Sequence, residues 1–287
     1  MTLWFPFGGE ISPVRRRALV WPREHGAWGI LLVSLITGAA AGLSSPTNLP
    51  RLLWLALAAT AAFSWRTPFE NSLPSSPLRP RNCAEWRWVT AAMLVYALTC
   101  AFAVGMLIHE GALGLIWKPG VVAAGLFAVQ AVIKRFSRAS RLLSEIIGTF
   151  GLTIPAMAAW AVAAGRFDSQ AVVLWLLNGL FATNQILYVQ MRIQETRRFQ
   201  HSLHSWDRVI FLAVEAFTVA VLIAAWRRSL MPGLALVAFL PVFTRGVVWS
   251  FRRTRQALQI HRLGKSELAH AILFGLLVII AFRLFIP

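Results

Sequence analysis

Several side chains that can bind a polar ligand lie inside otherwise apolar stretches of this 287-residue sequence. Glu145 and Glu215 are carboxylates, and Asn184, Tyr188 and Arg192 recur at helical spacing in another stretch. Residues four apart share one face of a helix, so these three predict a polar helix face. Ionisable groups are costly inside a membrane and usually face a cavity or a partner, so these positions predict a ligand site.

Further candidates lie near the ends of these stretches. Arg23, Glu24 and His25 lie at the start of the first apolar stretch. Gln130 and Lys134 lie one helical turn apart near the end of the fourth apolar stretch. Their amide, carboxylate and cationic groups suit the polar head of an amphipathic ligand, and arginines bind phosphate without a metal. No catalytic residue is identifiable. The candidate ligand-binding residues are Arg23, Glu24, His25, Gln130, Lys134, Glu145, Asn184, Tyr188, Arg192 and Glu215.

Structural roles are open for the same residues. Asn and Gln inside helical bundles often only join neighbouring helices by hydrogen bonds. Glu215 is also a candidate partner for Arg245, because both lie inside predicted helices. Such a buried pair lowers the cost of the two charges without performing chemistry.

Common catalytic and metal-binding motifs are absent from the sequence. It has no phosphate-binding glycine loop, no HExxH and no serine elbow. Cys83 and Cys100 alone cannot form a metal framework. We therefore predict no metal and no cofactor. A net charge of +17 would suggest nucleic acid as the partner of a soluble protein, but here a membrane topology explains it, and we predict no nucleic acid binding.

Composition places the chain among helical membrane proteins, since 57% of its residues are hydrophobic and 14% are charged, against about 25% charged in soluble domains. A spanning helix needs about 20 apolar residues. Nine stretches approach that length, which predicts an all-α fold in one transmembrane domain, 1–287, with a short cytoplasmic segment, 1–22. The predicted spans are 26–44, 50–66, 87–108, 116–134, 142–164, 171–191, 207–226, 230–250 and 267–286.

Positive charge predicts the orientation. With nine crossings, 22 of the 28 Lys and Arg residues fall on one side, which is the cytoplasmic side in membrane proteins. We therefore expect a multi-pass protein of the inner (cytoplasmic) membrane, with the N-terminus inside and the C-terminus outside. The candidate residues then all lie in the cytoplasmic half, which predicts one polar cavity open to the cytoplasm.

Three local patterns add expectations about packing and loops. Gly38 and Gly42 form a small-xxx-small pattern that permits close helix contact. The second inner loop contains Pro68 and Pro74, so it cannot be one continuous helix. Segment 251–263 is either an amphipathic helix in the headgroup layer or a solvated turn.

The heptapeptide Pro22–Trp28, at the start of the first span, resembles the signature of the YwiC-like family of bacterial membrane proteins. The stretch Leu263–Glu267 before the last span and the chain length are also similar. This resemblance covers essentially the whole chain, with its strong motif at one end, and implies no particular reaction.

The predicted topology also resembles the UbiA superfamily of intramembrane prenyltransferases, which implies a nine-helix bundle. In that family, aspartate-rich motifs in two cytoplasmic loops hold Mg²⁺, which grips a prenyl diphosphate. Here the matching regions offer only Glu70, Glu85 and Glu195, and Arg192 would repel Mg²⁺. Mg²⁺ is thus expected only if the ordinary prenyltransferase mechanism holds.

We therefore predict an integral membrane protein whose cavity binds a membrane lipid or an isoprenoid-like small molecule. One version is a divergent UbiA-type prenyltransferase without the aspartate-rich motifs. The alternative is a non-enzymatic carrier, permease or assembly factor that uses the same cavity.

Overall fold

The computed structural model describes residues 12–22, 25–43, 45–74, 76–136, 141–197, 205–251 and 259–285. This part of the chain is helical and contains no strand, which confirms the all-α prediction. A 3₁₀ turn, Pro46–Asn48, precedes the third helix. The α-helices are α1 Pro13–Val20, α2 His25–Gly42, α3 Leu49–Ser72, α4 Cys83–His109, α5 Leu113–Phe136, α6 Arg141–Ala164, α7 Ser169–Arg197, α8 Ser205–Arg227, α9 Leu234–Val237, α10 Leu240–Phe251 and α11 Ile260–Phe285.

Seven segments of the described chain are long and apolar enough to cross a membrane. They are α4 to α8, the α9–α10 segment and α11, and they coincide with seven of the predicted spans. The protein is therefore a multi-pass membrane protein. The apolar part of α2, Gly26–Gly42, is shorter, and α3 is not among the seven. Both coincide with the first two predicted spans, so nine crossings stay a prediction.

Prolines shape these helices differently from expectation. Pro119 lies inside α5, which already begins at Leu113. Pro68 lies inside α3, which continues to Ser72, six residues beyond the predicted end of that span. A proline removes one backbone hydrogen bond, but a membrane helix tolerates it where neighbouring groups satisfy the freed carbonyl. The predicted end of the second span at residue 66 and the predicted start of the fourth at residue 116 were therefore wrong. α3 ends at Ser72 and α4 begins at Cys83, so the inner loop between them is not one continuous helix, as predicted.

The eighth predicted span is broken into α9 and α10. Phe239 bonds to the Leu236 carbonyl three residues earlier, which is a 3₁₀-type contact. Pro241 follows and has no N–H to donate, so the regular α-helical ladder restarts at α10. The amphipathic segment predicted at 251–263 falls largely on residues 252–258, outside the described residues.

The chain divides into two compact units, of which the first comprises the described residues of 1–25 and 53–112. It contains α1, most of α3, and α4. Asn71 on α3 donates to the Leu19 carbonyl at 3.0 Å, and the Tyr96 hydroxyl on α4 donates to the Val20 carbonyl at 3.4 Å. Leu19 is completely buried. These contacts attach α1 to the two longer helices.

The second unit comprises the described residues of 26–52 and 113–287. Its core is aromatic: Phe181 on α7 stacks on Phe274 of α11, with ring centroids 3.9 Å apart, and Phe239 meets Phe274 edge-on at 5.2 Å. Trp160 on α6 packs against Phe282 of α11 at 5.9 Å. Offset and edge-to-face pairs of this kind stabilise a core beyond the area they bury. They place the middle of α7 against α11 and the segment before α10.

The glycine pattern on α2 makes the close contact that its spacing predicted. A β-carbon on Gly38 would overlap the backbone of Ala156 on α6, and one on Gly42 would meet the Trp160 carbonyl at 2.9 Å. Glycine therefore lets the backbones of α2 and α6 touch. This prediction is confirmed.

Candidate functional site

Five polar or aromatic residues from four helices of the second unit meet in its interior; we call them the polar cluster. Asn184 and Tyr188 lie one turn apart on α7, Glu215 lies on α8, Arg245 on α10 and Glu267 on α11. Asn184 and Glu215 expose only 2% and 4% of their surface. Polar groups this deep in an apolar bundle need partners, so their hydrogen bonds define what the cluster can do.

The α7–α8 side of the cluster is an amide–carboxylate contact. Asn184 donates through Nδ2 to Oε1 of Glu215, at 3.4 Å. The same carboxylate oxygen lies against Gly246 of α10, where a β-carbon would collide with it. Because residue 246 is a glycine, the Glu215 carboxylate has room to lie there. Gly246 directly follows Arg245 in the sequence.

The α10–α11 side is an ion pair supported by an aromatic ring. Arg245 donates through Nη1 to the Glu267 carboxylate, and both side chains are nearly buried. The guanidinium carbon lies 4.0 Å from the centroid of the Tyr188 ring, well within cation–π range. Trp249 packs edge-on against Tyr188 at 5.8 Å. Arg245 thus forms its direct ion pair with Glu267. Glu215, the predicted partner, instead accepts from Asn184 and interacts with Arg245 through charge alone.

Several buried atoms of the cluster have no hydrogen-bond partner in the described part of the chain. The acceptors are Asn184 Oδ1, Glu215 Oε2 and Glu267 Oε2, and the donors are Arg245 Nε and Nη2. Native proteins pair about nine in ten such buried groups, and leaving one unpaired costs about 1–3 kcal/mol. Nε and Nη2 form one edge of the guanidinium, which suits a group with two acceptor positions. A bound polar group that both donates and accepts would complete the cluster.

A second polar group lies between α5, α6 and α7. Gln130 donates through Nε2 to the Ser144 carbonyl at 3.0 Å, and Gly148 leaves the space that its amide fills. Gln190 donates to the Glu145 carboxylate. Gln190 lies six residues after Asn184, on another side of α7. Gln130 and Glu145 thus take part in helix-to-helix contacts, the structural role left open for Gln130.

The predicted candidates are therefore only partly brought together. Asn184, Tyr188 and Glu215 share the polar cluster, whereas Gln130 and Glu145 belong to the second group. Arg192 is half-buried, one turn beyond Tyr188 on α7. The remaining candidates fall outside what can be described: Arg23 and Glu24 entirely, and His25 in α2 and Lys134 in α5 in their side chains.

Sequence reasoning missed the α11 part of the cluster. Glu267 is the first residue of the last predicted span, so an ionisable group at a span boundary was the available signal. Gln185 also contacts this helix, donating to the Glu267 carbonyl at 2.8 Å. Arg245 was noticed only as a partner for Glu215, although it is the cation of the cluster.

The described residues offer little for a divalent metal. No group of three or more His, Cys, Asp or Glu among them could hold a metal ion. In the first unit, Glu85 accepts both donors of Arg15, and Glu70 accepts from Arg66 at 2.8 Å. The Glu195 side chain is outside the described residues. Glu70 and Glu85, two of the three carboxylates that stand where the aspartate-rich motifs would be, are therefore paired with arginines.

Fold and site define a multi-pass, all-helical membrane protein with a buried charged cluster between four helices. Residues 21–160 match the family model described as YwiC-like protein. The chain is also 25% identical over 260 residues to a Bacillus subtilis (strain 168) protein named "Uncharacterized protein YwiC", covering 90% of this chain and 95% of that one. The resemblance to the YwiC-like family is therefore confirmed. No solved structure gives a significant match, so the resemblance to the UbiA superfamily stays a prediction.

Proposed function

We propose that this protein binds the polar head of an amphipathic, isoprenoid- or lipid-like ligand at the polar cluster, with the apolar tail lying among the helices. One observation carries this proposal: five polar atoms on Asn184, Glu215, Arg245 and Glu267 are buried without partners. A ligand head that completes their hydrogen bonds repays their desolvation, which is the usual origin of strong polar specificity in an apolar site.

The charges of the cluster restrict the head group. Arg245 brings one positive charge, while Glu215 and Glu267 bring two carboxylates. A strongly anionic head would meet repulsion from both carboxylates, whereas a head with a hydroxyl and a carbonyl can donate to Glu215 and accept from Arg245. The proposed ligand therefore has an uncharged or weakly charged head that both donates and accepts hydrogen bonds.

The finer topology belongs to the same proposal. We place the protein in the inner membrane with nine crossings, the N-terminus in the cytoplasm and the C-terminus outside. The charge distribution along the sequence supports this orientation. In this orientation, the polar cluster lies in the cytoplasmic half of the membrane, and a cavity at the cluster opens toward the cytoplasm.

One version of this function is prenyl transfer of the UbiA type. The protein would then be a divergent member, without the aspartate-rich motifs of that superfamily. The engagement of Glu85 by Arg15 and of Glu70 by Arg66 supports a mechanism without Mg²⁺ at those positions. The same engagement favours the second candidate, a non-enzymatic carrier, permease or assembly factor. In the transferase version, a diphosphate is too anionic for the polar cluster, and we expect Arg23, Lys134 or Arg192 to hold it without Mg²⁺. Its binding should then survive EDTA and weaken in Arg192→Ala.

Native mass spectrometry of the full-length protein, purified in a mild detergent, tests binding. We expect a small molecule of defined mass to be retained by wild type and lost from Arg245→Gln, which lacks the guanidinium edge. Gln130→Leu is the matched control, since it removes a buried polar side chain from the second group. Equal retention by wild type and Arg245→Gln, or loss from Gln130→Leu alone, would contradict the proposal.

A radiolabelled prenyl diphosphate then separates the two versions. Incubation of the same preparation with membrane lipids should give a labelled lipid product if the protein is a transferase. Retention of the small molecule without such a product, with and without Mg²⁺, favours the carrier or assembly factor.

A further inference from the structure

A single buried carboxylate gathers arginines at one surface of the first unit. Arg15 donates through Nε and Nη2 to the two oxygens of Glu85, which is only 4% exposed. Glu85 also accepts the backbone N–H of Arg81 at 2.8 Å, and Arg15 Nη2 reaches the Arg79 carbonyl at 3.4 Å. These hydrogen bonds hold both α1 and the turn at 79–82 against the first turn of α4.

The outer arginines of this surface keep their charge available. Arg16 lies over the ring of Trp88 at 6.0 Å, and Arg79 lies over the ring of Trp86 at 6.0 Å. Neither has an acidic partner among the described residues, because Glu85 is engaged by Arg15. The hydrogen bond with Glu85 also raises the pKa of Arg15, so the pair that positions this surface stays charged.

Apolar side chains accompany the charges. Val14 on α1 is 74% exposed, and Trp88 is 44% exposed. Trp21, at the end of α1, is exposed as well. A short helix that presents arginine, valine and tryptophan to the outside matches the composition of helices lying in the headgroup layer. Tryptophan is enriched at that depth because its ring is apolar and its N–H is polar.

The position of the surface along the fold gives its depth. Arg16 and Arg79 contact side chains in the first turns of α4. This helix is one of the segments long and apolar enough to cross the membrane. The first turn of a spanning helix lies at the membrane–water boundary. Arg16 and Arg79 therefore lie at the level of the lipid phosphates.

We propose that this end of the first unit, with Arg16 over Trp88 on one side of α4 and Arg79 over Trp86 on another, binds the phosphate heads of anionic phospholipids. The arginines complement the phosphate charge, and the valine and tryptophans contact the upper part of the acyl chains. The occupant is a membrane lipid rather than a free phosphate, because the charged and apolar contacts lie side by side. This site is independent of the polar cluster.

Lipid titration by native mass spectrometry of the full-length protein tests the site. The probes are phosphatidylglycerol and phosphatidylcholine with identical acyl chains, added to delipidated protein in detergent. Wild type should bind the first phosphatidylglycerol about 25-fold more tightly than phosphatidylcholine, which is two contributions of roughly 5-fold. The double variant Arg16→Gln/Arg79→Gln should lose this preference, since each arginine near an anionic headgroup contributes roughly a 5-fold gain in affinity.

The matched control is Arg227→Gln/Arg228→Gln, which removes two exposed arginines from the end of α8. It should leave the preference for phosphatidylglycerol unchanged, and both double variants should melt within a few degrees of wild type. Equal binding of the two lipids by wild type would overturn the proposal. So would an unchanged preference in Arg16→Gln/Arg79→Gln. Inorganic phosphate that competes fully with phosphatidylglycerol would show a soluble anion site instead and also overturn it.

Discussion

Arg245 on α10 pairs with Glu267 on α11, and this ion pair joins the last two helical segments of the protein. The side chains are 13% and 12% exposed, so both charges are largely removed from solvent. Such a pair is expensive to separate, even where replacing both members by apolar residues is nearly neutral. Three atoms of the same two side chains, Arg245 Nε and Nη2 and Glu267 Oε2, are buried without a hydrogen-bond partner in the described part of the chain.

The first prediction concerns this pair. Arg245→Met should lower the free energy of unfolding by about 3 kcal/mol, because it leaves the Glu267 carboxylate buried without its cation. Arg245→Met/Glu267→Met should recover most of that loss. Thermal unfolding of four purified proteins in the same detergent, namely wild type, Arg245→Met, Glu267→Met and the double variant, measures the effect. A double variant as unstable as the sum of its single variants would show that the two residues do not interact.

The second prediction concerns the space around Glu215. Gly246→Ala should destabilise the protein by about 1–3 kcal/mol, because its β-carbon would displace the Glu215 carboxylate from its place beside Asn184. The penalty should shrink when Glu215 is also replaced by alanine. A double-mutant cycle on unfolding measures this coupling. The same penalty in both backgrounds would place the Glu215 side chain elsewhere.

The third prediction tests the contact between α2 and α6. Gly38→Ala should cost about 3 kcal/mol or more, because its β-carbon meets the Ala156 backbone, which cannot rotate away. Gly125→Ala on α5 is the control, since nothing lies within 4 Å of its added β-carbon. It should be neutral or slightly stabilising, because alanine is the better helix former. Melting temperatures that fall equally in both variants would argue against the contact.

The fourth prediction concerns the first two helices. α2 has 18 residues and is therefore about 27 Å long, close to the apolar thickness of a bilayer. If both α2 and α3 cross, Thr47, in the 3₁₀ turn between them, lies outside. Thr47→Cys, in a background with Cys83 and Cys100 replaced by serine, should then react with a membrane-impermeant maleimide on intact cells. Labelling only after the cells are opened would contradict nine crossings.

Sequence patterns predicted the helices of this protein better than its polar contacts. Apolar length located the spans, and the spacing of Gly38 and Gly42 predicted a backbone contact, because both depend on properties of one segment. The partner of Arg245 depends on which helices are neighbours, and no single segment carries that information. Glu215 and Glu267 both lie near this arginine, and the helix arrangement brings Glu267 into direct contact with it. Pro68 misled for a related reason, since tertiary surroundings determine whether a proline ends a helix.

Part of the candidate site was nevertheless visible in the sequence. Asn184 and Tyr188 were selected by their four-residue spacing and Glu215 by its depth in an apolar stretch, and these three do meet. Depth alone grouped Gln130 and Glu145 with them, although depth does not say which side of a helix faces which neighbour. Their contacts lie between α5, α6 and α7, on another side of α7 from Asn184.

A cryo-electron microscopy map of the protein purified into lipid nanodiscs tests the central claim most directly. We predict non-protein density within hydrogen-bonding distance of Arg245 Nε and Nη2 and of Glu215 Oε2, continuous with a tail-shaped density between the helices. The density should be absent from a map of Arg245→Gln. A well-resolved map in which these atoms contact only separate, water-sized peaks would contradict the claim that the polar cluster binds an amphipathic ligand.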